Sequence, residues 1–260
     1  MSGQVSSEVV GRRAVVTISH AGKFNAMSRA MWRQLRAVFE SLQHSDVRCV
    51  VLRGEGGHFS AGGDISEYAD FRFAEATLRD FHENEVWGGL QAMLNCDVPI
   101  VASIDGNCMG AGLEMVSCCD ARLASSAARF GAPIARLGFP IAPREAALVA
   151  DAVGALTARE MLLTAAVLDA AEMKQRGFLN AVHAPADLAA AVDALAGRIE
   201  SLAPLAARQN KQTFRSNHGL VQAFAACNAT EIIANAYRYA DSAEHREGIA
   251  AFNSKRPAVF

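Results

Sequence analysis

Two glycine-dense turns and one glutamate hold the chemistry that this sequence offers most clearly. Phe59-Ser60-Ala61-Gly62-Gly63-Asp64-Ile65 and Gly110-Ala111-Gly112-Leu113-Glu114 each follow a hydrophobic run, and the second leads a carboxylate into an apolar segment. Small residues let backbone N–H groups approach an anion closely, because no side chain intervenes. At Ala111 the turn opens a helix, whose unpaired N–H groups and dipole favour negative charge. Two such donors converging on a carbonyl oxygen form an oxyanion hole, and losing one donor costs about 3–4 kcal/mol of barrier. Taken singly, each turn also reads as an ordinary strand-to-helix connection. Glu114 lies in the first turn of Leu113-Glu114-Met115-Val116-Ser117-Cys118. Burial there raises its pKa and the helix N-terminus lowers it; the alternative is a solvent-facing glutamate that serves the dipole. Two donors and one acid together could stabilise an enolate and move a proton.

The elements that must position these groups alternate along the chain. Gly11-Arg12-Arg13 reads as a hairpin turn between Glu8-Val9-Val10 and the strand Ala14–Ile18. Ser28 is a candidate N-cap for a helix to about Ser45, with Met31, Leu35, Val38, Phe39 and Leu42 as its apolar stripe. The strand Cys49–Leu52 precedes the loop from Gly54 to Asp64, and a helical stretch from about Ala74 to Asn95 leads to a strand from Val98 to Ile104. A further strand lies near Ala121–Ala124, and from about Pro143 the pattern becomes almost wholly helical, with Pro185 and Pro204 at helix starts. Apolar strands alternating with helices predict a mainly parallel sheet covered on both sides and joined by right-handed crossovers. Residues 1–202 read as an α/β core, and residues 203–260 as a helical extension that packs on the core or on a neighbouring subunit.

Composition narrows the classes. A chain of 260 residues, half of them apolar, can bury one large core. A net charge of −2 and a pI near 6.4 give no electrostatic case for nucleic acid or an anionic membrane. With no basic, apolar leader and no membrane-length apolar run, a cytoplasmic protein is expected. The six cysteines (49, 96, 108, 118, 119 and 227) lack a CxxC spacing or a neighbouring histidine, so they read as buried thiols, and no metal is expected. His58 and His82 stand isolated in sequence and read as surface residues.

Read together, these segments resemble the crotonase superfamily, the enoyl-CoA hydratase/isomerase fold. His20-Ala21-Gly22-Lys23-Phe24-Asn25-Ala26-Met27 is similar to its early P-x-x-x-N-A-L/M loop without the proline. Pro99–Gly106 is similar to the strand before the second turn, and Arg246–Pro257 to the C-terminal E-G-x-x-A-F-x-x-K-R. The resemblance spans the whole chain in the right order. It implies a spiral of ββα repeats with a C-terminal helical extension, a homotrimer or dimer of trimers, and an acyl-CoA thioester substrate. Coenzyme A would enter with that substrate, and no separate cofactor is implied. It further implies that Ala61 and Ala111 supply the oxyanion N–H groups, that Glu114 moves the proton, and that Ala61, Gly62, Gly63, Asp64, Ile65 and Gly110 line the groove. Lys23 and Phe24 would lie near the nucleotide, Lys255, from this or another subunit, would meet its phosphates, and Ala26 and Phe252 would also contact the substrate.

The chain also departs from that family. Its hydratases place a second glutamate after F-G-x-P, where Phe130-Gly131-Ala132-Pro133 is followed by Ile134. Related dienoyl isomerases carry an acid two residues on, at the position of Arg136. Arg136 reads as a surface arginine, or as a partner for Glu114 or a substrate carboxylate. Glu145, after Pro143, reads as a helix-capping residue, the alternative being that it turns toward the pocket. Four readings follow: a double-bond isomerase that uses Glu114 alone, a hydratase whose second acid comes from elsewhere such as Glu145, a decarboxylase using Arg136, and a CoA-ester-binding protein with little chemistry. The pocket lining rests on the segment from Tyr68 to Glu85.

Overall fold

The computed structural model describes residues 2–216 and 237–259. Strands β1 (Gln4–Val10) and β2 (Arg13–Ser19) form the expected hairpin, and β1 begins four residues earlier than the sequence suggested. Strands β3 (Cys49–Gly54), β4 (Ile100–Ile104), β6 (Ala121–Ser125) and β9 (Ala181–His183) then add in parallel, giving the order β1-β2-β3-β4-β6-β9. A second sheet holds three short strands, β5 (Asn107–Met109), β7 (Arg129–Gly131) and β8 (Val167–Asp169), and the bridge Ser60–Cys108 extends it. Strands β3, β4 and β6 each hand the chain to a stub in the second sheet before a helix follows. This is the expected ββα spiral.

Helix α1 (Arg29–Gln43) is capped by Ser28, whose Oγ accepts from the Met31 amide, and it stops two residues short of the expected end. It buries Met31, Trp32, Leu35, Phe39 and Leu42. The stretch Glu75–Asn95 is helical throughout, as expected. It is built as α2 (Glu75–Asp80), a π-helical turn (Phe81–Val86) and α3 (Trp87–Asn95). Together with Val16, Ile18, Val50, Leu52, Ala102 and Ile104 these helices form the main core. The opposite sheet face, with Cys49, Val51, Val101 and Leu123, is covered by Leu188, Val192 and Ala196 of α8 (Leu188–Glu200). Beyond Pro143, α5 (Pro143–Val153), α6 (Ala155–Thr164) and α7 (Ala170–Gln175) alternate with β8 and β9. The expectation of an almost wholly helical second half is thus corrected: three-residue strands have too few side chains to show a period of two.

The C-terminal segment docks on the core through α9 (Pro204–Ser216), where Lys211 pairs with Asp120 at 2.7 Å and Arg208 donates to the Ser45 carbonyl. The final helix, α10 (Ala243–Asn253), packs on the 3-10 turn Ile134–Leu137. The five described cysteines are buried thiols, and Cys227 lies outside the described residues. Among the described residues no helix is long and apolar enough to cross a membrane. Phe39, wholly buried between α1 and the sheet, tests the core: Phe39→Ala should lose about 3–5 kcal/mol, read as a lower urea midpoint at constant slope.

Candidate active site

The two glycine turns meet at the head of α4 (Ala111–Ser117). Gly110 takes φ +46° to swing the chain from β5 into the helix, and its amide is held by the Gly131 carbonyl at 2.9 Å. The Gly62 and Gly110 backbones lie against one another, which brings the loops together. Among the described residues, no acceptor stands within hydrogen-bond distance of the N–H groups of Ala111 or Gly63. Ala61 is different. Its N–H donates to the Phe24 carbonyl at 2.9 Å, which leaves nothing for a ligand. The expectation that Ala61 supplies a donor is therefore corrected, and the free N–H lies two residues on, at Gly63. A side chain at Gly63 would overlap the Tyr68 hydroxyl, so that loop passes directly beside Tyr68.

A cavity of about 590 Å³ opens below these amides. Its lining includes Ala26, Ala61, Gly62, Gly63, Asp64, Ile65, Gly110, Ala111, Glu114, Ile134 and Glu145, with Lys23, Phe24, Arg136 and Phe252 at the exposed side. Lys255 does not reach it. Lys23 is already engaged: its Nζ donates to Asp64 Oδ2 and to Ser66 Oγ, both at 2.7 Å. Burial pushes the Asp64 carboxyl up, but Lys23 and Ser66 hold it below the ordinary value. Asp64 thus works as the cap and anchor of its turn. Arg136 is exposed and donates to the Ala165 carbonyl at 3.2 Å, with no bond to Glu114.

Glu114 is buried, and its carboxyl makes no hydrogen bond to any described residue. Burial drives its pKa well up, the charge of Glu145 adds to the rise, and Arg72 opposes it. Glu145 is the largest departure from expectation. It does sit in the first turn of α5, yet its side chain is 2% exposed and turned into the cavity. Its pKa is raised by burial, against the pull of Arg72 and the Ala142 amide.

His82 holds Glu145 in place, with Nδ1 at 2.8 Å from Oε1. Its Nε2 faces Arg72 Nη1 at 3.5 Å. A guanidinium only donates, so Nε2 accepts, Nδ1 carries the proton, and His82 donates to Glu145. Burial and Arg72 push the imidazole well below its ordinary value, so this is a neutral hydrogen bond. Placing His82 at the surface is corrected: it lies buried in the π-helical turn, where Glu145 and Arg72 partner it and Tyr237 stacks on it at 5.6 Å. His58 is also partnered, accepting from the Asn107 amide and meeting the Phe24 ring edge-on.

Arg72 escaped the sequence reading altogether. It is 1% exposed, and its guanidinium lies between the rings of Tyr68 at 4.3 Å and Phe139 at 4.0 Å. Its Nε donates to His245 Nε2 at 3.4 Å and its Nη2 to the Tyr239 hydroxyl at 3.1 Å. The available signal was a lone cation between two aromatics, Phe71-Arg72-Phe73. The assembled site offers two convergent amides, two carboxyls of raised pKa and a buried cation. Such a set can stabilise an oxyanion and transfer protons on both sides of it.

The sequence model described as enoyl-CoA hydratase/isomerase matches residues 11–260. A relative described as a probable enoyl-CoA hydratase from Rhizobium meliloti (strain 1021) is 30% identical over 254 residues, covering 97% of this chain and 96% of the relative. Similar solved structures include an enoyl-CoA hydratase/carnithine racemase from Magnetospirillum magneticum, with TM-score 0.79, 31% identity and 98% and 94% of the two chains covered. A methylmalonyl-CoA decarboxylase superposes with TM-score 0.85 at 26% identity over 100% and 99%.

The carboxyl pair has a thermodynamic signature. Both groups hold their protons more tightly folded than unfolded, so stability falls as pH rises from the ordinary carboxylate range toward their raised values. Around 6.5 the depressed His82 contributes an opposing slope, which fades about a unit higher, once the unfolded imidazole is neutral as well. There, Glu145→Gln should flatten the decline by up to about 1.4 kcal/mol per pH unit, read from urea midpoints across the neutral range; an unchanged slope would refute the burial of an ionisable Glu145.

Proposed function

The chain belongs to the enoyl-CoA hydratase/isomerase family, and from that premise we propose that it adds water to the double bond of a 2-enoyl-CoA thioester, using Glu114 and Glu145 as its two carboxyls. The observation that carries the proposal is the inward, buried Glu145 sharing one cavity with Glu114. Ile134 removes the acid usual at its own position, and Glu145 restores one from the next helix.

The thioester oxygen is received by the N–H groups of Gly63 and Ala111, neither of which has an acceptor among the described residues. The two acids differ in their surroundings. Both carboxyls hold their protons above the ordinary range, but Glu145 accepts from His82 and so releases its proton first, while Glu114 has no donor among the described residues and keeps its own. Glu145 therefore takes a proton from water as its oxygen bonds to the β-carbon. The electron pair of the double bond moves to the thioester, whose enolate oxygen rests on the two amides. Glu114 then gives its proton to the α-carbon. The sum is one water added across the double bond, and exchange of protons resets the acids. Arg136 makes no bond to Glu114 or Glu145, and this sequence of proton transfers does not use it.

Loss of the conjugated-thioester absorbance with a panel of 2-enoyl-CoA esters, crotonyl-CoA among them, measures the reaction. Glu114→Gln and Glu145→Gln should each slow turnover by about 10²-fold or more. A Glu145→Gln enzyme with unchanged turnover would show that Glu114 works alone. A wild-type enzyme inert to the panel that conjugates a 3-enoyl-CoA instead would be an isomerase.

A further inference from the structure

Arg72 is a buried cation whose direct partners among the described residues are all uncharged. His245 accepts at Nε2 because its Nδ1–H goes to the Ala240 carbonyl, at 2.9 Å, and burial holds this imidazole at about 4. His82 is neutral as well, and the third partner is the Tyr239 hydroxyl. No carboxylate forms an ion pair with Arg72 among the described residues. Glu145 stands one imidazole away, so it acts on Arg72 across the intervening His82 and makes no direct ion pair with it. Buried arginines are normally paired with an acid, because taking the charge out of water is expensive. Of five guanidinium N–H groups, three are engaged here, and Nη1 and Nη2 each keep one. The rings of Tyr68 and Phe139 clamp the fork in a fixed plane at the wall of the cavity.

We propose that Arg72 receives a second carboxylate, carried at the far end of the acyl group, so that the substrate is the mono-CoA thioester of a dicarboxylic acid. This rests on the acyl-CoA reading above. The carboxylate accepts from the free N–H groups of Nη1 and Nη2 and supplies the counter-charge that the protein withholds. A planar fork suits that ligand better than a lysine would. A coenzyme A phosphate is a poor alternative occupant: Arg72 is 1% exposed, and the cations at the open side are Lys23 and Arg136. A bound carboxylate also offsets the pull of Arg72 on the two glutamates, which leaves Glu145 a stronger base once the cavity is filled.

Calorimetric titration of the full chain with unreactive saturated esters tests this without relying on turnover. Glutaryl- and adipyl-CoA are compared with valeryl- and hexanoyl-CoA, their methyl-ended counterparts of equal length, and with free CoA. The carboxylate-ended member of at least one pair should bind tenfold or more tighter, about 1.4 kcal/mol. Arg72→Gln should erase that preference and Arg72→Lys should keep part of it, with circular dichroism to check each fold. Should Arg72→Gln not fold, the wild-type pairs and Arg72→Lys still decide. Equal binding within both pairs, or a preference for methyl ends, overturns the carboxylate subsite and leaves the acyl-CoA reading standing. Failure of every ester to bind better than free CoA overturns both.

Discussion

A guanidinium and two carboxyls share one apolar cavity, and the cost of taking charge out of water governs how each is held. Glu114 and Glu145 answer it by keeping protons they would lose in solvent. Arg72 cannot shed its charge, so it is wrapped in aromatic faces and neutral acceptors instead. The arrangement depends on elements far apart in sequence. Arg72 follows the turn that Asp64 anchors, His82 comes from the crossover between β3 and β4, Glu145 from the one after β6, and His245 from the last described helix. The ββα spiral is what makes those segments neighbours.

The backbone part of the site was legible because its causes are local. A turn that must approach an anion needs small residues, and a helix that starts there must follow at once; both conditions are written in Gly110-Ala111-Gly112. The same logic found the right loop but the wrong amide upstream. Whether Ala61 or Gly63 keeps a free N–H is decided by Phe24, nearly forty residues earlier, whose carbonyl claims Ala61. No spacing rule within the loop carries that information.

The side-chain part was mostly illegible, for a related reason. First-turn placement of Glu145 is what a helix cap predicts, and nothing nearby says that the side chain turns inward to meet His82. His82 itself looked like a surface residue because no partner stands near it in the sequence; its partners Glu145, Arg72 and Tyr237 come from other elements. Arg72 was the hardest, since a cation in an aromatic stretch signals burial only if one already knows what lies opposite. Its partners Tyr239 and His245 arrive from the far end of the chain.

The π-helical turn at Phe81–Val86 does more than aim one imidazole. Each such turn inserts extra chain without ending the rod, so it acts as a phase shifter between α2 and α3. Across it, Phe81, His82 and Val86 line the cavity, and the buried Trp87 opens α3, the helix packed on α1. One continuous strut can therefore face the reactive cavity at one end and the α1 scaffold at the other. Lengthening or shortening it by a residue would rotate one end against the other and uncouple chemistry from frame. The spacing between these two faces is thus a mechanical setting of the enzyme, as much as any side chain in the pocket.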